Sequence, residues 1–260
     1  MSDGAEALLW EIAHCENISR YVETPSGQNP CAPVISLQQR DVPDYKLELH
    51  RVPEPWSGHL TRAPLLFFGA NPSAGHRFAA DFPYWSSPEA TLVDIFDNAF
   101  QSSIAADIYA VNRDGVRSTD WVRNWAFIRG RARELIPQAK GGEDYVVSDI
   151  VHCKSLSREG VTADCALACG RKWLRKVVSL SPAKVIIGLG DEARAVFPVV
   201  FSEVRLDFPL AGPVSLAGLT RYVVFLPHSN ARQRRTIPAV IGMERTQEVI
   251  DFLAGQVSDR

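Results

Sequence analysis

The chain has 260 residues, a formal net charge of −2, 46% apolar residues and 22% charged residues. This composition is typical of a globular domain and excludes a disordered or fibrous chain. So small a net charge gives no overall attraction to nucleic acid, so any such binding requires a local basic patch. No apolar run approaches the roughly 18 residues that cross a bilayer. The first residues are acidic rather than basic, so we expect no signal peptide, no membrane anchor and a cytoplasmic location.

Four short runs rich in β-branched or aromatic residues predict buried strands. Segments with helical periodicity lie between them, which indicates βαβ units. We therefore expect an α/β fold of three layers, α/β/α, with a central, mainly parallel, four-stranded sheet. The predicted strands are 64–70, 145–151, 184–189 and 222–226. The predicted helices are 6–15, one that begins with Ser87 as cap and Pro88 in the first turn, 120–136, 162–180, 191–197 and 243–253.

The chain is interpreted as one domain, 1–260, in which residues 1–60 form an N-terminal cap. This first part is richer in proline and polar residues than the rest. Gly188 and Gly190 follow a predicted strand, as in a dinucleotide-binding turn, but Ala193 stands where the third glycine of that fingerprint belongs. The pair therefore indicates a tight turn from strand to helix.

Polar, turn-forming loops follow the first and the last predicted strand, at 69–75 and 227–232. Ligands of open parallel sheets bind beyond the carboxyl ends of the strands, so these loops are the candidate site. Asn71 and His228 are their candidate functional residues. The pattern alone also fits an asparagine that bonds its own turn and a histidine packed at a strand end.

In this order, the four strands and the two loops resemble the uracil-DNA glycosylase superfamily over roughly 64–230. In that family the first loop positions the attacking water, and the second carries a histidine that faces the scissile bond. The resemblance assigns these roles to Asn71 and His228. Residues 146–153 followed by Cys169 are similar to the iron–sulfur-containing branches of the family.

The resemblance implies a structural [4Fe–4S] cluster, which requires four thiolate ligands. Cys153 and Cys169 are sixteen positions apart, as in those branches, and Cys15 and Cys31 supply two more thiols, more widely spaced than is usual there. Cys165 is left over and is expected to be packed. Buried free thiols and a zinc site are the alternatives.

The resemblance also implies a pocket for the damaged base, formed by Gly69, Ala70, Tyr84 and Asp149. Tyr84 would stack on the base. Uracil-specific members commonly have asparagine where this chain has Asp149. An ionised aspartate only accepts hydrogen bonds and would repel a uracil carbonyl, unless burial keeps it protonated. As alternatives, Tyr84 is a core residue and Asp149 caps a turn.

Contacts with DNA are implied for both loops. The residues expected to make them are Ser73, Ser229, Asn230, Arg232, Arg234 and Arg235. The arginines would bind phosphates, although a run of charges is also typical of a solvated face.

The function implied is that of a monofunctional, monomeric DNA glycosylase of base excision repair. It would hydrolyse the N-glycosidic bond of a flipped, deaminated base such as uracil in damaged DNA. A covalent variant would use His76 as nucleophile. Two alternatives are a nucleoside or RNA N-glycosidase, and a non-catalytic module that binds damaged or single-stranded DNA.

Overall fold

The computed structural model describes residues 1–40, 44–72, 82–156, 158–205, 208–232 and 235–255. Three residues with a predicted role, Ser73, His76 and Arg234, lie outside these ranges. The helices are α1 (Asp3–Ala13), α2 (Glu16–Glu23), α3 (Ala32–Ser36), α4 (Glu89–Phe96), α5 (Ala99–Ser102), α6 (Arg123–Leu135), α7 (Ala163–Leu180), α8 (Gly190–Val200), α9 (Ile237–Ile241) and α10 (Met243–Leu253), with a 3-10 turn at Leu47–Leu49. The strands are β1 (Leu65–Gly69), β2 (Ile104–Ala105), β3 (Tyr109–Ala110), β4 (Tyr145–Asp149), β5 (Val185–Leu189), β6 (Leu210–Leu216) and β7 (Leu219–Leu226).

The central sheet has the order β4-β1-β5-β7-β6. All neighbouring pairs are parallel except β6 and β7, which form an antiparallel hairpin. The predicted α/β class and mainly parallel sheet are confirmed, but the predicted count of four strands is wrong. The fifth strand, β6, was missed because Gly212 and Pro213 interrupt it, and both residues weaken a strand pattern. The β6–β7 register shifts between Ala211 and Val214, across these two residues.

Helices cover both faces of the sheet, which explains why its parallel strands are apolar on both sides. On one face, α1, α4, α7 and α8 pack against alternate strand residues such as Phe68 and Ile186. On the other face, α6, α9 and α10 pack against Phe67 and Ile187. The N-terminal segment belongs to the first layer, since Leu9 of α1 is fully buried in the same cluster.

Several helix boundaries differ from those predicted, among them the start of α6 at Arg123 and the end of α8 at Val200. The predicted helix 6–15 corresponds to α1, which begins earlier and ends at Ala13, and a second helix, α2, begins at Glu16 with Cys15 as its N-cap residue. Pro88, rather than Ser87, is the N-cap residue of α4, and the Ser87 hydroxyl accepts a hydrogen bond from the backbone N–H of Tyr84. The predicted tight turn is confirmed, since α8 begins at Gly190, directly after β5.

In the described ranges, no helix has both the length and the apolar character needed to cross a bilayer.

Arg221 ties the β6–β7 hairpin to the end of α7. Its side chain lies in β7 and is completely buried. The guanidinium donates hydrogen bonds to the carbonyl oxygens of Val178, Ser181, Ala183 and Leu216, over 2.7–3.2 Å. The last carbonyl oxygens of a helix lack hydrogen-bond donors within the helix. At the end of α7, the buried guanidinium of Arg221 provides these donors. Burial lowers the pKa of Arg221.

We predict that Arg221→Met lowers the free energy of unfolding by about 3–5 kcal/mol, because several buried carbonyls lose their donor while the side chain keeps a similar length. Chemical denaturation measures the change. Arg245→Met removes an arginine from the exposed side of α10 and serves as the control, with a much smaller expected loss. Equal losses in the two variants would contradict this role for Arg221.

Candidate active site at the carboxyl ends of the strands

Backbone hydrogen bonds continue past the carboxyl ends of β1 and β4 and connect the segments that follow these two strands. The backbone N–H of Val151 donates to the carbonyl of Ala70 at 3.0 Å, and that of Ser155 donates to the carbonyl of Pro72 at 3.2 Å. The segment after β4 therefore lies along the loop after β1. The chain from β1 leads to β4 on one side, whereas β5 and β7 follow on the other side, and ligands of open α/β sheets bind at such a switch point.

Asn71 is held by both loops. Its side-chain nitrogen donates to the carbonyl oxygens of Pro72 (3.0 Å) and Cys153 (3.4 Å) and to the hydroxyl of Ser155 (2.9 Å). Two of these partners are carbonyls and can only accept, so the nitrogen, and not the oxygen, must face them. The Oδ1 of Asn71 accepts no hydrogen bond from the described residues. It is therefore available to accept one from a water or a ligand.

Asp149 lies opposite Gly69 at the ends of the paired strands. A Cβ atom on residue 69 would lie 2.3 Å from Asp149 Oδ1, so only glycine leaves room for this carboxyl. Burial, and then the charge of Glu54, raise the pKa of Asp149 well above its ordinary value, while Lys154 opposes them. The carboxyl therefore favours its neutral form, which has one hydrogen-bond donor and one acceptor.

Two charged residues that were not predicted, Glu54 and Lys154, lie near Asp149. Glu54 and Lys154 form an ion pair at 2.7 Å, with side chains that are 18% and 10% exposed. The Lys154 ammonium also lies 3.7 Å from the ring centroid of Phe82. Lys154 directly follows Cys153 and could have been found from that position. Glu54 lies in the segment interpreted as a cap, and nothing in the local sequence marks it.

The ring of Phe82 contacts this group of charges through Lys154. Tyr84 instead forms an isolated bridge with Arg51, whose guanidinium carbon is 5.7 Å from the tyrosine ring. The structure thus places Tyr84 against the N-terminal segment. Its role in stacking stays a prediction, and Phe82 is the closer candidate for that role.

His228 lies beyond the end of β7, two strands away from Asn71. Neighbouring strands are about 4.8 Å apart, so roughly 10 Å separates the two loops at the sheet edge. The backbone N–H of Asn230 donates to His228 Nδ1 at 3.2 Å. A neutral ring therefore carries its proton on Nε2 and presents it as a donor. Burial and the charge of Arg158 lower the pKa of His228, and Asp191 opposes them.

The residues after His228 are only partly placed for contact with DNA. Asn230 and Arg232 are exposed, whereas Ser229 is buried. The Arg235 side chain donates to the carbonyl of Ser229, and Arg131 donates to the carbonyl of Arg235 at 3.0 Å. Arg235 therefore stabilises its own loop and is also exposed at the surface.

The four predicted ligand cysteines line one small cavity on the α7 side of the sheet. Cys15, Cys31, Cys153 and Cys169 all contribute to its wall. Each is buried and free of disulfides. Cys165 is completely buried and does not line this cavity.

The surroundings of these thiols contain groups that favour sulfur anions. Lys172 Nζ is 3.9 Å from Cys15 Sγ, and the same lysine opposes the effect of burial, which raises the pKa of Cys15. A hydrogen bond from the Cys165 thiol lowers the pKa of Cys31. The pKa of Cys153 is raised well above its ordinary value by burial and by the other three thiols of the cavity. Burial thus favours the neutral thiol at Cys15 and Cys153, whereas the pKa of Cys31 is shifted toward the thiolate.

Among the described residues, no group of three or more His, Cys, Asp or Glu side chains is arranged to hold a single metal ion. In a four-iron cluster each thiolate binds a different iron, so the four sulfurs lie farther apart than around one ion. Four buried thiols thus line a common cavity beside a lysine, without the arrangement of a single-metal site among the described residues.

A scan against protein-family models gives no match for this chain, and a search of curated proteins finds no relative.

We predict that Asp149→Asn stabilises the protein increasingly as the pH rises. The raised pKa means that the folded protein holds the Asp149 proton more tightly than the unfolded chain does. The stability that this proton contributes is complete below the pKa of an unfolded aspartate, about 3.9, and is lost as the pH rises through the folded-state value. Asparagine has a similar shape and no proton to lose. The difference in free energy of unfolding between variant and wild type should therefore grow from pH 4 to pH 8 in denaturant titrations.

Asp94→Asn, on the exposed side of α4, is the matched control and should show no such growth. A pH-independent difference for Asp149→Asn would show that the carboxyl is ionised throughout.

Proposed function

We propose that the protein is a monofunctional DNA glycosylase that hydrolyses the N-glycosidic bond of a flipped-out, deaminated base. The observation that carries the proposal is the fixed orientation of the Asn71 amide. Its nitrogen is bound to Pro72, Cys153 and Ser155, so its oxygen is the free acceptor. An amide has no useful basicity, so this oxygen orients a water rather than deprotonating it.

The reaction then needs little basic catalysis. The bond between C1′ of the sugar and the base nitrogen breaks, and its electron pair goes to the base. The oriented water adds its oxygen to C1′ and loses a proton, while the departing base takes up a proton. A sugar that develops positive charge before the water attacks suits a site that positions water without a strong base.

Asp149 is proposed to read the edge of the base. A neutral carboxyl can donate to a carbonyl oxygen and accept from the adjacent N–H. Uracil and hypoxanthine both have such an edge. The raised pKa of Asp149 therefore removes the objection that an aspartate would repel uracil. The neighbouring Gly69 leaves the space that this carboxyl occupies.

His228 is proposed to stabilise the departing base. Its Nδ1 accepts from the backbone, which leaves the Nε2 proton as a donor toward the site. Hydrogen bonds aimed at the atoms that gain negative charge lower the barrier of the step in which that charge develops.

The cavity of Cys15, Cys31, Cys153 and Cys169 is proposed to hold a [4Fe–4S] cluster, which would link the N-terminal segment to the chain after β4 and to α7. Lys172 lies on one side of the cavity, next to Cys15. Cys153 also connects the cavity to the site, since its carbonyl accepts from Asn71. The thiols thus serve structure, and Asn71 depends on that structure for its position.

Asn71→Ala is predicted to lower the rate of base release by about 100-fold or more, because the water loses its acceptor. The substrates are duplex and single-stranded oligonucleotides that each contain one uracil, hypoxanthine or xanthine, with cleavage after alkali as the readout. Gln247→Ala removes an amide from the exposed part of α10 and should leave the rate unchanged. Binding of the same oligonucleotides without cleavage by the wild type would favour a non-catalytic DNA-binding module instead.

The purified protein, handled without oxygen, is predicted to contain about four iron and four sulfide ions per chain. Cys153→Ser should lose them, whereas Cys165→Ser should keep them, because Cys165 does not line the cavity. Metal analysis and visible absorption measure both. One zinc per chain, or no metal at all, would refute the cluster.

A further inference from the structure

The segment after β4 extends across the end of the sheet. Its beginning is bound to the loop after β1 through Ser155 and Pro72. Three residues later, Arg158 forms an ion pair with Glu192 of α8, the helix that follows β5 directly. Since β4, β1 and β5 are successive neighbours, this segment spans from the Asn71 side of the site to the His228 side.

In the ion pair of Arg158 and Glu192, the carboxylate is the more deeply buried partner. The Glu192 side chain is only 10% exposed, whereas that of Arg158 is 47% exposed. The second carboxyl oxygen of Glu192 is buried without a hydrogen-bond partner among the described residues. A buried carboxylate requires a cation, and Arg158 supplies it. The backbone of Arg158 has a φ of 66°, a conformation that costs about 1–3 kcal/mol and persists only where the surroundings enforce it.

Glu192 and His228 both border the space beside Gly190. A Cβ atom on Gly190 would lie 3.6 Å from Glu192 Oε2 and 3.5 Å from the Cβ of His228. Among the described residues, charges that act on the imidazole come from Arg158, in the segment after β4, and from Asp191, in α8. The half-exposed guanidinium therefore lies beside the histidine, with Glu192 as its anchor.

We propose that Arg158 is a further functional residue of this site, which Glu192 fixes beside His228 so that a permanent positive charge faces the position of the departing base. This inference rests on the proposed function and deepens it. A guanidinium stays charged without taking a proton from the reaction. It attracts the electron pair that moves onto the base, and it disfavours protonation of His228, so that the imidazole acts as a neutral donor through Nε2. Arg158 is a positioning residue with respect to His228.

The first test measures the titration of His228 by NMR in the free protein at low salt, with the signal assigned from its loss in His228→Gln. Arg158→Gln is expected to raise the pKa of His228 by about half a pH unit, since removal of a nearby cation favours the imidazolium and solvent screens a half-exposed charge. Arg158→Lys should retain most of the wild-type value. Arg20→Gln, which removes an exposed arginine from α2, is the control and should change nothing.

Because Arg158→Gln leaves Glu192 buried and unpaired, the variant Arg158→Gln/Glu192→Gln is measured beside it. The double variant removes both charges and should also show the raised pKa. A titration of His228 that is the same in wild type, Arg158→Gln and the double variant would overturn the proposal.

The second test uses base release. Arg158→Gln should lower kcat and shift the acidic limb of the pH–rate profile upward by the same half unit, with Arg158→Lys restoring the profile. A profile that does not move, in a protein that releases base, would also overturn the proposal. A wild type that releases no base from any oligonucleotide would refute the proposed function alone, because the NMR titration needs no substrate and decides separately whether Arg158 acts on His228.

Discussion

The hydrogen bonds between the loop after β1 and the segment after β4 are the interaction on which the rest of the site depends. They continue the parallel pairing of the two strands beyond the sheet, and the Asn71 amide adds a side-chain connection to the same segment. That segment also carries Cys153 and Lys154. The orientation of one amide, the wall of the thiol cavity and the ion pair beside Asp149 are therefore parts of one local structure.

The site places its charges in pairs and leaves one group neutral. Lys154 is matched by Glu54, and Arg158 is matched by Glu192. Asp149, in contrast, lies next to a carboxylate in a buried position, which favours the proton over the charge. A low effective dielectric strengthens each of these effects. Burial makes an unpaired charge costly at this site. For the same reason it favours the neutral carboxyl of Asp149, which can donate a hydrogen bond.

The features that could be predicted from the sequence are those that hydrophobic periodicity and residue type encode. The four apolar runs give four of the five strands, because strands buried on both faces are continuous in their apolar character. The β6 strand was missed because Gly212 and Pro213 interrupt its strand pattern. The candidate ligand cysteines were identified because cysteine is a potential metal ligand by its residue type alone, wherever it lies in the chain. Glu54, Phe82 and Arg158 were not found, since their importance comes from neighbours that are distant in the chain.

Aspartate and asparagine have nearly the same size and shape, and Gly69 provides room for either at position 149. Loss of a proton and exchange of one residue type for the other would therefore leave the contour of the pocket alone and alter only which atoms donate. A change of pH therefore alters the hydrogen-bond donors of this pocket reversibly, whereas the substitution Asp149→Asn alters them permanently. The hydrogen-bonding partners that suit residue 149 therefore change without any remodelling of the surrounding protein.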